Sequence, residues 1–218
     1  MVDAANLKHC VRRRFGMSWV VNFQEFEKCL RTKCNMVEKD ELSFIFYVAI
    51  PPGGSDGTRK YVDAIVRRGW RCRKKEMKIS DTAEQGEGSY PDRRMQRYTN
   101  TDWDAGFAVD ALVGAHRGDY DTLILVSGDG DLFDVVNAVR LVWGKNVVVA
   151  GVDKSLSGML VGNVDAFIIL DEKIVSRSTD FGKESERKPN EEGNTQEVPG
   201  TKPAGYTKMS HHKVAKGQ

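Results

Sequence analysis

The chain has 218 residues, 40% of them hydrophobic, enough for one domain with a sizeable core. Lys and Arg number 33 against 31 Asp and Glu, a net charge of +2, so local clusters rather than overall charge must decide what the surface attracts. No apolar run reaches the roughly 18–20 residues of a membrane span, and no signal peptide is visible, because Met1-Val2 leads directly into Asp3.

The chain alternates strand and helix signals, which predicts a mostly parallel sheet with helices on its faces. Residues 1–3 read as the stub of a strand. A central strand takes about five residues, so either this one is short or the true start codon lies upstream. Residues 5–33 read as helical, with a break near Gly16. The apolar run 42–50 predicts a buried strand, closed by Pro51-Pro52-Gly53-Gly54. Tyr61, Val62 and Ile65 give 58–68 a helical period, stopped by Gly69. Residues 71–79 form a very basic strand, expected at an edge or with one face in water. Residues 80–100 read as a long polar loop.

Residues 102–116 predict a helix packing through Ala108, Ala111, Leu112 and Ala115. Thr122-Leu-Ile-Leu-Val-Ser-Gly-Asp-Gly-Asp-Leu-Phe-Asp134 is an apolar strand that runs into two carboxylates and then a helix over 131–143. A strand at 147–151, a short helix at 155–161 and a last strand at 166–170 follow. The domain is expected to end at 174. Residues 175–218 are polar, and their large apolar residues stand singly, too few to offset the entropy of ordering, so they read as a disordered tail. Cys10, Cys29, Cys34 and Cys72 match neither a zinc spacing nor a disulfide framework, and read as idle thiols of a cytoplasmic protein.

Asp3, Asp129 and Asp131 stand at strand ends, where open α/β sheets place their chemistry, and Asp104 stands at a helix start. Carboxylates brought together repel one another, and a bound cation relieves that. Mg²⁺ or Mn²⁺ suits oxygen-only ligands and promotes displacement at phosphorus, so phosphodiester hydrolysis is the natural reaction class. The same residues also suit turns and caps: Asp131 as a helix cap, Asp3 as a cap on the first helix, Asp104 as a first-turn acid. Asn6, Ser127 and Ser157 are candidates to support the ligands, each with an equally good structural role. Asp110 lies about 120° around the helix from Asp104 and ranks as a secondary candidate for the same supporting role. Gly128 and Gly130 are expected to adopt backbone angles closed to other residues.

Three basic clusters point to a nucleic-acid partner: Arg12 and Arg13 with Arg14 on the first helix, Arg73 and Lys74 in the basic strand, and Arg93, Arg94 and Arg97 in the loop. Tyr90, Tyr98 and Trp103 are placed to stack on bases.

The opening Met1-Val-Asp-Ala-Ala-Asn-Leu7 resembles the start of NYN domains, the LabA-like branch of the PIN-like nuclease superfamily. Asp102-Trp-Asp-Ala-Gly-Phe-Ala-Val-Asp-Ala-Leu112 resembles that family's acidic helix. The Ser127-Gly-Asp-Gly-Asp131 stretch matches its most specific motif, and Gly144-Lys-Asn-Val-Val-Val-Ala-Gly151, Ser157 and Val164-Asp-Ala-Phe167 match its closing strand-helix-strand. Ala4 departs from the family's usual Gly after the first Asp. The resemblance spans residues 1–172. It implies a PIN-like α/β/α sandwich and a Mg²⁺- or Mn²⁺-dependent ribonuclease, with Asp3, Asp104, Asp129 and Asp131 as metal-binding catalytic acids. RNA is then the partner, no membrane is involved, and a homo-oligomer is compatible. The alternative is a non-catalytic RNA-binding or regulatory module that kept the pocket. An aspartyl-phosphate phosphatase fits less well, since its first strand needs Asp-x-Asp and position 5 is Ala5.

Overall fold

A computed structural model describes residues 1–79, 98–99 and 103–177, the side chains of 78–79 and 98–99 excepted. Its centre is a six-stranded, all-parallel sheet in the order β4-β3-β1-β7-β8-β9. These strands are β1 (Val2–Asp3), β3 (Ile45–Ile50), β4 (Arg71–Glu76), β7 (Thr122–Val126), β8 (Asn146–Val152) and β9 (Ala166–Leu170). Helices cover both faces, so the α/β/α sandwich expected from the alternating pattern is present.

One face is packed by α1 (Ala4–Phe15), α2 (Phe23–Lys33) and α3 (Asp56–Arg67). Val2, Leu7, Val11, Phe26, Leu30, Phe46 and Ile65 form the core there. The other face is packed by α4 (Asp104–Arg117) and α5 (Phe133–Asn137) around Tyr47, Phe107, Leu123, Leu125, Leu132 and Val149. Successive strand residues alternate between the two cores, as a pleat requires: Phe46 faces one and Tyr47 the other. The helix starts follow their capping residues. Asn22 accepts from the Gln24 and Glu25 amides at 3.0 and 3.1 Å, Ser55 from Thr58 at 3.1 Å, and α4 ends on Gly118 at φ 73°.

Several boundaries differ from the sequence pattern. Residues 5–33 are not one broken helix: β2 (Trp19–Val21) lies between α1 and α2 and pairs antiparallel with β10 (Val175–Arg177). β10 thus lies beyond the expected boundary at 174. The basic strand divides into β4 and β5 (Lys78–Ile79), and β5 pairs with β6 (Tyr98–Thr99). β4 lies at the sheet edge, where its charges suit solvent. The helix after β7 begins as a 3-10 turn, Gly130–Leu132, and α5 continues into a π-helical turn, Ala138–Val142. The short helix, α6, is confined to Gly158–Val161. The remainder of the expected tail lies outside the described residues.

All four cysteines are free, and burial raises the thiol pKa of Cys29, Cys34 and Cys72, which disfavours their thiolate forms. Among the described residues, no helix is long and apolar enough to cross a membrane.

Candidate active site at the carboxyl ends of the strands

Two of the sequence-chosen carboxylates meet at the carboxyl ends of β1 and β7. Asp3 ends β1 and caps α1, accepting from the amides of Ala5 at 3.0 Å and Asn6 at 2.9 Å. Asp129 follows β7 and caps the 3-10 turn, accepting from the Asp131 amide at 3.1 Å. The Asp3 carboxyl is held above its ordinary pKa, first by burial and further by the negative charge of Asp129. The bonds from Asn6, Ala5 and the Ser127 hydroxyl pull the other way. Asp3 is thus a strained carboxylate: desolvated, beside a like charge, and stabilised by three donors.

Ser127 sits between the two. Its side chain is 1% exposed, its hydroxyl donates to Asp3, and its Oγ accepts from the Asp129 amide at 3.3 Å. The Asn6 Oδ1 accepts from the Gly128 amide at 3.3 Å, tying the first turn of α1 to the loop after β7. The Ser157 amide donates to the Gly128 carbonyl at 3.1 Å, and its Oγ lies 3.0 Å from where a Cβ on Gly130 would stand. Asn6, Ser127 and Ser157 therefore all touch the Asp129 loop. Gly128 and Gly130 do not have positive φ, contrary to expectation. Space is the constraint instead: a Cβ on Gly128 would lie 1.8 Å from the Ser155 carbonyl oxygen.

The other two acids are placed differently. Asp131 lies in the first turn of the 3-10 helix and is exposed, and the cap there is Asp129 rather than Asp131. Asp104 opens α4 and is half-buried. α4 leads into β7, so its start lies at the same rim of the sheet as Asp129, and its Phe107 shares a core with Leu132 of the 3-10 turn. Among the described residues, no three His, Cys, Asp or Glu side chains are gathered as a formed metal cluster. The donor chemistry nevertheless suits a hard cation: oxygen ligands only, with one carboxyl destabilised by its neighbour.

Asp110 has partners of its own on β3 and β4. It accepts from the Tyr47 hydroxyl at 2.6 Å and forms an ion pair with Arg73. Burial, then the bond to Asp110, raises the Tyr47 pKa, so that phenol stays a donor. Tyr47 is the strand neighbour of Asp3 in register. A second tyrosine, Tyr61 of α3, is within range of the Asp3 charge, which adds to the effect of burial in raising its pKa. Sequence reasoning used Tyr61 only as a packing residue; its helical period carried no other signal.

The basic clusters separate. Arg12 and Arg13 lie in the last turn of α1, about 14 Å along the helix from Asp3 at 1.5 Å per residue. Arg73 and Lys74 lie on β4 and, by its alternation, address opposite faces. Arg71, Arg73 and Lys75 share the α4 side, where the Lys75 ammonium sits 5.6 Å above the Trp103 ring. Trp103 packs edge-on against Tyr47, with ring centroids 5.3 Å apart. Tyr90, Arg93, Arg94 and Arg97 lie outside the described residues.

The NYN domain family model matches residues 1–171. No curated protein matches the chain. A solved structure of a protein of unknown function from Vibrio parahaemolyticus has a similar fold, with a TM-score of 0.59 and 23% identity over 80% of this chain and 93% of that one.

Proposed function

The chain belongs to the NYN domain family, within the PIN-like nucleases, and on that premise we propose a ribonuclease that hydrolyses RNA phosphodiester bonds with Mg²⁺ or Mn²⁺. The observation that carries this reading is the coupled pair Asp3 and Asp129, brought together from two strand ends. These two carboxylates would hold the ion, with Asp104 and Asp131 contributing from the same rim. Such an ion supplies Lewis acidity toward a phosphoryl oxygen and lowers the pKa of water.

The remaining chemistry belongs to the protein's own groups. Ser127 and the Ala5 and Asn6 amides fix the Asp3 carboxylate, and the Asp131 amide fixes Asp129, so both oxygens are oriented before substrate arrives. Arg71, Arg73, Lys74 and Lys75 on the edge strand offer counter-charge to a phosphate backbone, and Trp103 offers an aromatic surface beside Lys75.

Asp129→Asn keeps an oxygen to cap the 3-10 turn and removes the charge. Cleavage of a mixed RNA substrate in Mn²⁺ should fall by about a hundredfold or more, with the unfolding midpoint little changed. Wild-type cleavage rates in that variant would reject the assignment. One observation supports a second reading, a non-catalytic RNA-binding module: both carboxylates already serve as caps, a sufficient structural reason for their presence. RNA binding that is insensitive to EDTA, with no cleavage in either metal, would select it.

A further inference from the structure

Arg71, Arg73 and Lys75 of the edge strand are all exposed and share the α4 side of the sheet. α4 runs back along them. Trp103, the residue before it, lies 5.6 Å beneath the Lys75 ammonium, and Asp110, two turns into the helix, pairs with Arg73. Two strand residues rise about 7 Å, so the three cations form an evenly spaced row on the flank of α4, with a step close to that between phosphates of an extended nucleic-acid strand. The row climbs toward the carboxyl rim. Arg73 is level in register with Tyr47 and Asp3, about 10 Å from Asp3 across two strand spacings. Lys75 stands one step higher, beside the start of α4 that carries Asp104.

Arg73 rests on a built support. The Asp110 side chain is 11% exposed and accepts from the Tyr47 hydroxyl at 2.6 Å and from Arg73 Nη2. Tyr47 is fully buried and stacked on Phe107, with ring centroids 3.9 Å apart, so the carboxylate stands on a rigid base. Arg73 itself is 45% exposed. A guanidinium has five N–H donors in a fixed fork, and anchoring one nitrogen aims the others. For stability alone the arrangement is a poor one, because desolvating Asp110 offsets much of what the ion pair returns. For order it is a good one: an arginine fixed in advance loses less rotamer freedom on meeting a phosphate.

We propose that Asp110, seated on Tyr47, is a positioning residue for substrate: it presents Arg73 so that Arg71, Arg73 and Lys75 take successive phosphates of an RNA strand leading to the rim at Asp3 and Asp129. The choice of RNA rests on the ribonuclease reading; the route, and a carboxylate that serves it without touching RNA, go beyond that reading. Charge counting gives the opposite sign for Asp110, since removing an acid from beside a basic row should strengthen RNA binding.

The test titrates the full chain, in EDTA and over a range of salt, with a fluorescent single-stranded oligoribonucleotide of mixed sequence. Asp110→Asn, which keeps an oxygen for Tyr47, should bind about tenfold more weakly despite having one negative charge fewer. Arg73→Gln should bind at least as weakly, lower the slope of log affinity against log salt by about 0.7, and lose nothing further when combined with Asp110→Asn. Lys60→Gln removes an exposed charge on α3, at the other face of the sheet, and should change affinity less than about twofold. Arg73→Lys keeps the charge and loses the fork, and it too should bind more weakly. Asp110→Asn or Arg73→Lys that binds as tightly as wild type overturns the proposal. So do additive losses in the double variant, an equal loss in Lys60→Gln, or a wild type that does not bind RNA. A wild type that binds with these dependences and cleaves nothing in Mn²⁺ rejects the catalytic reading and supports the route.

Discussion

The two ends of β1 are built in opposite ways. At the carboxyl end, the turn after β7 is fastened from three directions: by Asn6 on α1, by Ser157 before α6, and by Ser127 beneath it. At the amino end, the Met1 terminal nitrogen, 2.7 Å from the Ile124 carbonyl, borders a cavity of about 1130 Å³. The carboxyl end is crowded enough to leave no room for a methyl group on Gly128, while the amino end borders open space. Precision is concentrated where two carboxylates must be held near one another against their repulsion.

The largest test of that contrast is Gly128→Ala. Its Cβ would stand 1.8 Å from the Ser155 carbonyl, and the loop has little freedom to yield because the Gly128 amide and carbonyl are both bonded. A loss of about 3 kcal/mol or more in urea unfolding is expected, from overpacking against backbone. A loss below about 1 kcal/mol would mean the carboxyl end is as pliable as the other.

The amino end should announce itself through pH. Burial lowers the Met1 amine from 8.0 to about 5. The folded state therefore binds this proton less tightly than the unfolded state. Stability is full above pH 8 and is lost as pH falls from 8 toward 5. Three units at 1.36 kcal/mol each set an upper limit of about 4 kcal/mol, reduced by whatever water enters the cavity. Unfolding free energies between pH 8.5 and 5.5, with the amine free and then acetylated, isolate this contribution from the other titrating groups. Identical slopes would show a hydrated ammonium.

How much of this was legible in the sequence follows the range of the forces involved. The runs that became β7, β8 and β9 and the helical period of α3 are local patterns, and they placed the sandwich. Asp3 and Asp129 were legible because a carboxylate directly after an apolar strand can only emerge at its end. β2 and β10 were not, since three-residue strands exist through their pairing with each other, a contact more than 150 residues apart in the chain. The role of Gly128 was hidden for the same reason: the Ser155 carbonyl it accommodates arrives from another loop. Asp110 was ranked secondary by its helical angle, and that angle gave no sign of the tyrosine and arginine it joins, which come from β3 and β4. The basic segments were visible as composition, but only the direction of α1 reveals that Arg12 and Arg13 stand at the far end from Asp3.

The smallest effect on stability is expected from Asp3→Asn, and it carries the sharpest distinction. An asparagine oxygen can still cap α1, so the Ala5 and Asn6 bonds survive. What disappears is a carboxylate whose pKa is raised above 3.8 by burial and by Asp129. A raised folded-state pKa means that the folded form holds the proton more tightly. Its contribution to stability is thus fully present below pH 3.8 and is lost as pH rises through the raised value. At pH 7 the variant should therefore melt no lower than wild type, and relative to wild type it should lose ground as the solution is acidified. A divalent cation reverses the balance, because it favours the charged form. Mn²⁺ should raise the melting temperature of wild type and leave Asp3→Asn nearly unchanged. A variant that is strongly destabilised at pH 7 would show that Asp3 serves the fold first. A wild type whose melting ignores Mn²⁺ would show that its carboxyl has no ion to hold.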